Sequence, residues 1–261
     1  MSRIEEFYDE FSEYLIQDYI IANPRHRTIR SFLKREFFFH NHQSVLELGC
    51  GAGALTGFFL KQKSQVTAVD ISGKNIRVAE ALHGKGPFLQ SDILKLDLGK
   101  RYSFVALFDV IEHIPEDSLK DLISVIESHT HESSRLALTF PHPLYTDDLK
   151  EKKPELLQVV DETVSISGII RRLGEIGFTL EIFDLFGTRW TNQYVLMVLE
   201  RSVRFVPRPY RYYGPLPVRM LKKGGAMLKI YHIRLALMRL AGKIKKKMIK
   251  KKLKKEGIAV Q

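Results

Sequence analysis

The sequence predicts an α/β protein: a mostly parallel sheet of seven strands with helices on both faces, a helical segment before it and a basic amphipathic helix after it. Three observations predict this. Apolar runs of strand length alternate with helix-length stretches between residues 44 and 200. A glycine-dense turn (Gly49, Gly51, Gly53) directly follows the first such run. An acidic body carries a very basic tail. Strand–helix alternation at this spacing is what parallel strands joined by crossover helices produce.

Residues 1–40 read as two helices. Ile4, Phe7, Tyr8, Phe11, Tyr14 and Leu15 recur at helical spacing, Asn23-Pro24 breaks the run, and a second helix continues through Phe32 and Leu33. Strands are expected at 44–48, 65–70, 87–90, 103–109 and 135–140, with helices near 53–62, 72–83 and 116–129. The stretch 141–163 is polar, contains proline and lacks periodicity, so it reads as an insertion over the site, ahead of a helix at 164–176. Two last strands, 178–186 and 193–200, are separated only by GTRWTN. So short a loop predicts a hairpin, with the final strand antiparallel at or near a sheet edge. The chain divides into a helical lid (1–40), a central domain (41–200) and a basic linker with an amphipathic tail (201–261).

Composition narrows the class. The 261 residues are 44% hydrophobic, enough for one sizeable domain with an appendage. A single cysteine, Cys50, excludes an intramolecular disulfide and points to a reducing compartment. The charged opening stretch MSRIEEFYDEFSEY does not read as a secretory signal, and no uncharged apolar run reaches the roughly 18–20 residues of a membrane span. The expectation is a cytoplasmic protein, soluble or peripheral on the inner face of a membrane.

In a strand–loop–helix, closely spaced glycines let the backbone turn sharply and let a ligand approach the helix start. Gly49-x-Gly51-x-x-Ala54 satisfies the loose dinucleotide fingerprint, so a nicotinamide oxidoreductase is one reading, and a tight turn without ligand is another. Neighbouring residues favour a third. Glu47 stands two before the first glycine; Asp70 ends the second strand about twenty residues on; Gln90-Ser91-Asp92-Ile93 follows the third strand; Phe108-Asp109-Val110-Ile111-Glu112-His113-Ile114-Pro115 follows the fourth. Over about residues 40–200 this set resembles the class I S-adenosylmethionine-dependent methyltransferase family, with VLELGCGAG as its first motif and DVIEHIP as a later one.

The resemblance implies a Rossmann-like sheet and S-adenosylmethionine as cofactor. Glu47 would lie near the methionine ammonium, the Gly49–Gly53 loop under the amino-acid end, Asp70 on the ribose hydroxyls and Asp92 at the adenine amine. Cys50, Ile71, Ile93, Asp109 and Val110 complete the implied pocket, and Tyr14 (or Tyr8 or Phe11) and Arg25 (or Arg27) would join it from the helical lid. Cys50 itself reads as a small buried filler. Taken singly, Asp70 and Asp92 could equally be a helix-start acid and a turn residue.

Methyl transfer from a sulfonium needs alignment and exclusion of water, and an acceptor hydroxyl also calls for a general base. His113, after the fourth strand, and His142, after the fifth, are the candidates. Asp109-x-x-Glu112-His113 also resembles a metal-binding variant of the same superfamily, but Val160-Asp161-Glu162-Thr163 departs from that pattern where a later histidine should stand, so no metal is assigned.

From Arg201 onward, 19 Lys and Arg face one acid, Glu256, a net of +18; the first 200 residues hold 22 basic and 29 acidic residues, a net of −7. Ile230, Ile233, Leu237, Leu240, Ala241, Ile244 and Met248 fall on one helical stripe flanked by basic residues. Such a helix predicts an anionic membrane surface as partner; packing on the chain's own body, or a phosphate backbone, are the competing readings. The expected activity is O-methylation of a small or lipid-linked acceptor, of saccharide or isoprenoid type. The alternatives are RNA methylation, nicotinamide redox chemistry, and a non-catalytic module that keeps the cofactor fold.

Overall fold

The computed structural model describes residues 3–21, 23–37, 43–202 and 243–258. Its chain order is α1 (Arg3–Ile21), α2 (Pro24–Glu36), β1 (Ser44–Leu48), α3 (Thr56–Lys61), β2 (Gln65–Asp70), α4 (Gly73–His83), β3 (Phe88–Gln90), β4 (Tyr102–Phe108), α5 (Leu119–Ser128), β5 (Thr130–Pro141), α6 (Pro143–Lys152), α7 (Ile166–Glu175), β6 (Phe178–Phe186) and β7 (Tyr194–Arg201). A helix α8 covers 243–255. The linker and the apolar positions from Ile230 to Ala241 lie outside the described residues.

The seven strands form one sheet in the order β3-β2-β1-β4-β5-β7-β6. β1 to β5 pair in parallel, while β7 is antiparallel to both β5 and β6. The hairpin forms as expected, and its last strand lies one place in from the edge. Burial explains this order. β7 is apolar on both faces and buried over Val195–Leu199, so it belongs inside the sheet, whereas β6 is largely exposed and suits the rim.

Side chains of alternate parity feed the two faces. Leu46, Val105, Leu136 and Met197 pack with Leu122, Ile126, Ile169 and Leu173 of α5 and α7. Val45, Phe104, Ala137 and Val198 pack on the other face with Ile29, Phe32 and Leu33 of α2 and Phe58 and Phe59 of α3. Asn23 caps α2 through its side chain, with Pro24 in the first turn, which is why the break separates two helices.

The stretch 141–163 holds more structure than its composition suggests, since α6 and a 3₁₀ turn (Pro154–Leu156) occupy it. His142 and Pro143 start α6, and Lys152 pairs with Asp148 one turn back. Thr146 is the buried residue of α6, so there was no apolar stripe for periodicity to detect. The tail also differs from expectation. Ile249 and Leu253 of α8 pack against Ile16 and Ile20 of α1 and Val78 and Ala81 of α4, whereas Ile244 and Met248 face outward, 54% and 66% exposed. Among the described residues no helix is long and apolar enough to cross a membrane.

Candidate functional site

The glycine loop sits at the carboxyl end of β1, where parallel sheets of this kind place their ligands. Gly49, Gly51 and Gly53 have φ of +73°, +52° and +75°, in the left-handed region that favours glycine. A Cβ on Gly49 would stand 2.4 Å from a Val110 methyl, and one on Gly53 would stand 2.9 Å from the His83 ring. These two glycines therefore make room for the protein's own packing. Gly51 faces Leu15 of α1, whose Cδ1 would lie 3.2 Å from an added Cβ.

Asp70 ends β2 and is buried. Its Oδ2 accepts the Gly51 N–H at 2.7 Å; its Oδ1 accepts the Ser72 N–H at 2.9 Å and the Asn75 amide at 3.2 Å. Burial raises its pKa and these donors oppose the rise. Glu47, also buried, accepts the Thr56 hydroxyl at 2.5 Å, and burial pushes its carboxyl up to about 8. Burial, with Asp70 and Glu47 nearby, pushes the Cys50 thiol well up, so it is an inert filler. Ile71 offers its carbonyl to the Gln90 side chain at 3.3 Å. Asp92 closes its own turn by accepting the Leu94 N–H at 2.9 Å and lies 3.5 Å from the Lys95 ammonium, while Ile93 belongs to the core.

Contacts that motif reading did not supply fix α1 over this loop. Asp9 accepts the Ser72 hydroxyl and the Lys74 N–H, Ser12 donates to the Asn75 side chain at 2.7 Å, and Glu5 accepts from Gln90 at 3.0 Å. The inward face of α1 runs Tyr8, Ser12, Ile16, Ile20 at four-residue steps. Tyr14 falls off that face, 65% exposed and stacked on Phe11. Tyr8 instead packs edge-on against His113, with ring centres 6.1 Å apart. Burial, with Glu112, Asp161 and Asp70 nearby, raises the Tyr8 phenol pKa.

Arg25 also differs from expectation. Its Nε lies 2.9 Å from Asp109 Oδ2, and its guanidinium lies over the Tyr194 ring. Asp109 (φ +57°) accepts the Thr139 hydroxyl at 3.0 Å on its other oxygen. The arginine is thus engaged at the end of β4.

Beyond Val110, a 3₁₀ turn (Ile111–His113) carries Glu112 and His113 inward. The His113 Nδ1 is 2.7 Å from the Val160 carbonyl and 3.0 Å from Asp161 Oδ1. Burial lowers its pKa, but Asp161, Glu112 and the Val160 carbonyl outweigh that and hold the imidazole above its ordinary value. Glu112 is 3% exposed, and its Oε2 has no partner among the described residues. Burial, with Asp109 nearby, raises its pKa against the pull of His113 and Arg25. The second candidate base, His142, is the N-cap of α6: its Nδ1 accepts the Leu144 N–H at 3.3 Å and its backbone N–H reaches the Gln193 carbonyl. The structure thus brings His113, but not His142, into the buried acidic cluster. Among the described residues no group of three or more His, Cys, Asp or Glu is placed to hold a metal ion.

Comparison with known proteins agrees with this geometry. Residues 45–132 match the family model described as a methyltransferase domain. The ubiquinone biosynthesis O-methyltransferase of Albidiferax ferrireducens is 31% identical over 81 residues, 28% of this chain and 32% of that protein. Its counterpart from Rickettsia conorii is 36% identical over 74 residues, 27% of this chain and 26% of that protein. The matches therefore span about a third or less of these curated relatives. The magnesium protoporphyrin IX methyltransferase of Synechocystis, solved with bound SAH, superposes with a TM-score of 0.62 at 20% identity over 76% of this chain and 98% of that one. Motif, sheet order and matched segment agree: residues 45–132 match a methyltransferase domain, and the sheet has the Rossmann-like fold of S-adenosylmethionine-dependent methyltransferases.

Proposed function

We propose that this protein binds S-adenosylmethionine and methylates a hydroxyl of a small or lipid-linked acceptor, of saccharide or isoprenoid type. The observation that carries the reading is the placement of Gly51, Asp70 and His113 at the carboxyl ends of neighbouring strands β1, β2 and β4. The residues present fit the cofactor. Asp70 offers a fixed carboxylate for the ribose hydroxyls, and glycine at 51 adds no side chain between the loop and Leu15 of α1. Buried Glu112, whose Oε2 has no partner among the described residues, leaves a hydrogen-bonding group at the same end.

The cofactor supplies a methyl already activated on a positive sulfonium. What remains for the protein is alignment, exclusion of water and handling of one proton. α1 and α2 act as the lid, with Leu15 and Tyr8 as its inner surface. His113 takes the acceptor's proton as the new carbon–oxygen bond forms and later passes it to solvent. Because its partners raise its proton affinity, the rate should climb as pH rises through the imidazole's pKa. The relatives named as O-methyltransferases support oxygen as the acceptor atom.

The exposed Ile244 and Met248 among lysines support an anionic membrane surface, on the cytoplasmic side, as the place of work. RNA is the second reading, favoured by the same lysines. Radiolabelled S-adenosylmethionine should be incubated with panels of phenols, saccharides, polyprenyl-linked alcohols and RNA. Label in a hydroxyl of a small or lipid-linked acceptor supports the reading; label only in RNA overturns it.

A further inference from the structure

We propose that Asp161 is a positioning residue for His113: it fixes the imidazole's tautomer and orientation and so makes Nε2 the base nitrogen. This rests on the reading of His113 as the base, and it assigns a task to the segment after α6, which the family match at 45–132 does not reach.

The geometry is over-determined. Both groups that meet Nδ1, the Val160 carbonyl at 2.7 Å and the Asp161 carboxylate at 3.0 Å, are acceptors. The ring nitrogen between them must therefore carry a proton. In the neutral imidazole the lone pair then falls on Nε2. Asp161 is itself held: its Oδ2 accepts the Gln158 N–H at 2.6 Å, leaving Oδ1 for the histidine. The segment is anchored on the same turn, since the Glu162 N–H reaches the Glu112 carbonyl at 2.8 Å. Both side chains are mostly buried, at 13% and 15% exposure, so solvent screens the pair little.

The groups facing the ring are few. Tyr8 packs on it from α1, Glu112 precedes it in its own turn, and Asp161 meets it from the opposite segment. Behind Glu112, Asp109 is already matched by Arg25. Asp161 is the one among them that bonds directly to an imidazole nitrogen. A carboxylate there does two things: it selects the tautomer and it stabilises the imidazolium that forms as the base takes its proton.

Long-range ¹H–¹⁵N spectroscopy of the histidine rings in the full-length protein tests this without an acceptor, with His113→Gln to assign the resonance. The expected result is a neutral His113 protonated on Nδ1, with a titration midpoint above the ordinary value of about 6.5. Asp161→Asn should lower its proton affinity about tenfold or more and shift the tautomer population, while Asp161→Glu restores part of both. A His113 protonated on Nε2, or a midpoint that moves less than about twofold in Asp161→Asn, overturns the proposal. S-adenosylmethionine binding, measured in parallel by calorimetry, keeps the two readings apart. Binding with an unresponsive His113 sinks the positioning role alone; a responsive His113 without binding leaves the pair standing and sinks the methyltransferase reading.

Discussion

Arg25 and Asp109 meet at 2.9 Å, the arginine from the first turn of α2 and the aspartate from the end of β4. This pair ties the N-terminal helices to the sheet. Arg25 lies over the Tyr194 ring of β7, and Asp109 is braced by Thr139 of β5, so three strands share one contact. Removing the cation leaves a half-buried carboxylate uncompensated. Arg25→Met should cost about 1–3 kcal/mol in urea unfolding of the ligand-free protein. Unchanged stability with weakened S-adenosylmethionine binding would instead give Arg25 the cofactor's carboxylate as its partner.

Asp70 should govern cofactor affinity. Asp70→Asn keeps the side chain's shape and removes its charge, so charge-assisted bonds to the ribose are lost. Calorimetry should show S-adenosylmethionine binding weakened by about 1–3 kcal/mol. Tight NADH binding, insensitive to this change, would favour the oxidoreductase reading of the glycine loop.

Stability should fall as pH rises above neutral. Glu47 titrates at about 8 in the fold, against about 4.3 in the unfolded chain. The native state therefore keeps a proton that the unfolded state has lost, and stability drops across that window. His113, raised to about 9 from about 6.5, acts with the same sign: its contribution is complete below the lower value and gone above the upper one. His83, lowered to about 4 by burial and by Lys252, works oppositely and loses stability as pH falls through the acid range. Between about pH 4.3 and 6.5 the Glu47 and His83 slopes oppose each other, so urea midpoints should decline mainly from about pH 6.5 to 9, and Glu47→Gln should flatten the part of that decline below about pH 8. A midpoint that rises steadily from pH 6 to 9 would refute this assignment.

The two faces of α8 should separate under mutation. Leu253 is fully buried against α1 and α4, so Leu253→Ala should undock the helix at a cost of about 2–4 kcal/mol, seen as faster amide exchange in α8. The double change Ile244→Ser, Met248→Ser touches exposed side chains and should leave the fold intact. It should lower binding to anionic phosphatidylserine vesicles about tenfold, since the apolar contribution is lost. Salt should weaken vesicle binding without abolishing it, because that contribution is unscreened. Steep salt-dependent RNA binding with no vesicle binding would overturn the membrane reading.

The sheet was legible because strands near the middle of a sheet are apolar throughout and the turns between them carry glycine or a terminal acid. α6 was not legible, since a helix with little buried surface has no periodicity to show. The placement of Asp70 and His113 after strands was readable from their motifs. Their partners Asp9, Ser12, Asn75 and Asp161 come from distant segments, and a single chain does not announce which of its polar residues will meet. Of the aromatic candidates on α1, Tyr8 lies on the same face as Ile16 and meets His113, whereas Tyr14 is exposed. At Gly49 and Gly53 the side chains of Val110 and His83 also need the space.

The position of β7 sets a schedule for biosynthesis. It fills the slot between β5 and β6, so while the ribosome is still making residues 194–201 the right half of the sheet has an open seam. During that interval β5 offers an unpaired edge, and the apolar faces of Val195, Met197 and Leu199 have yet to arrive. The nascent chain is then most exposed to mispairing and to chaperone capture. Protease protection of β5 in stalled chains of increasing length should rise abruptly once Arg201 has cleared the exit tunnel, not when β5 itself emerges.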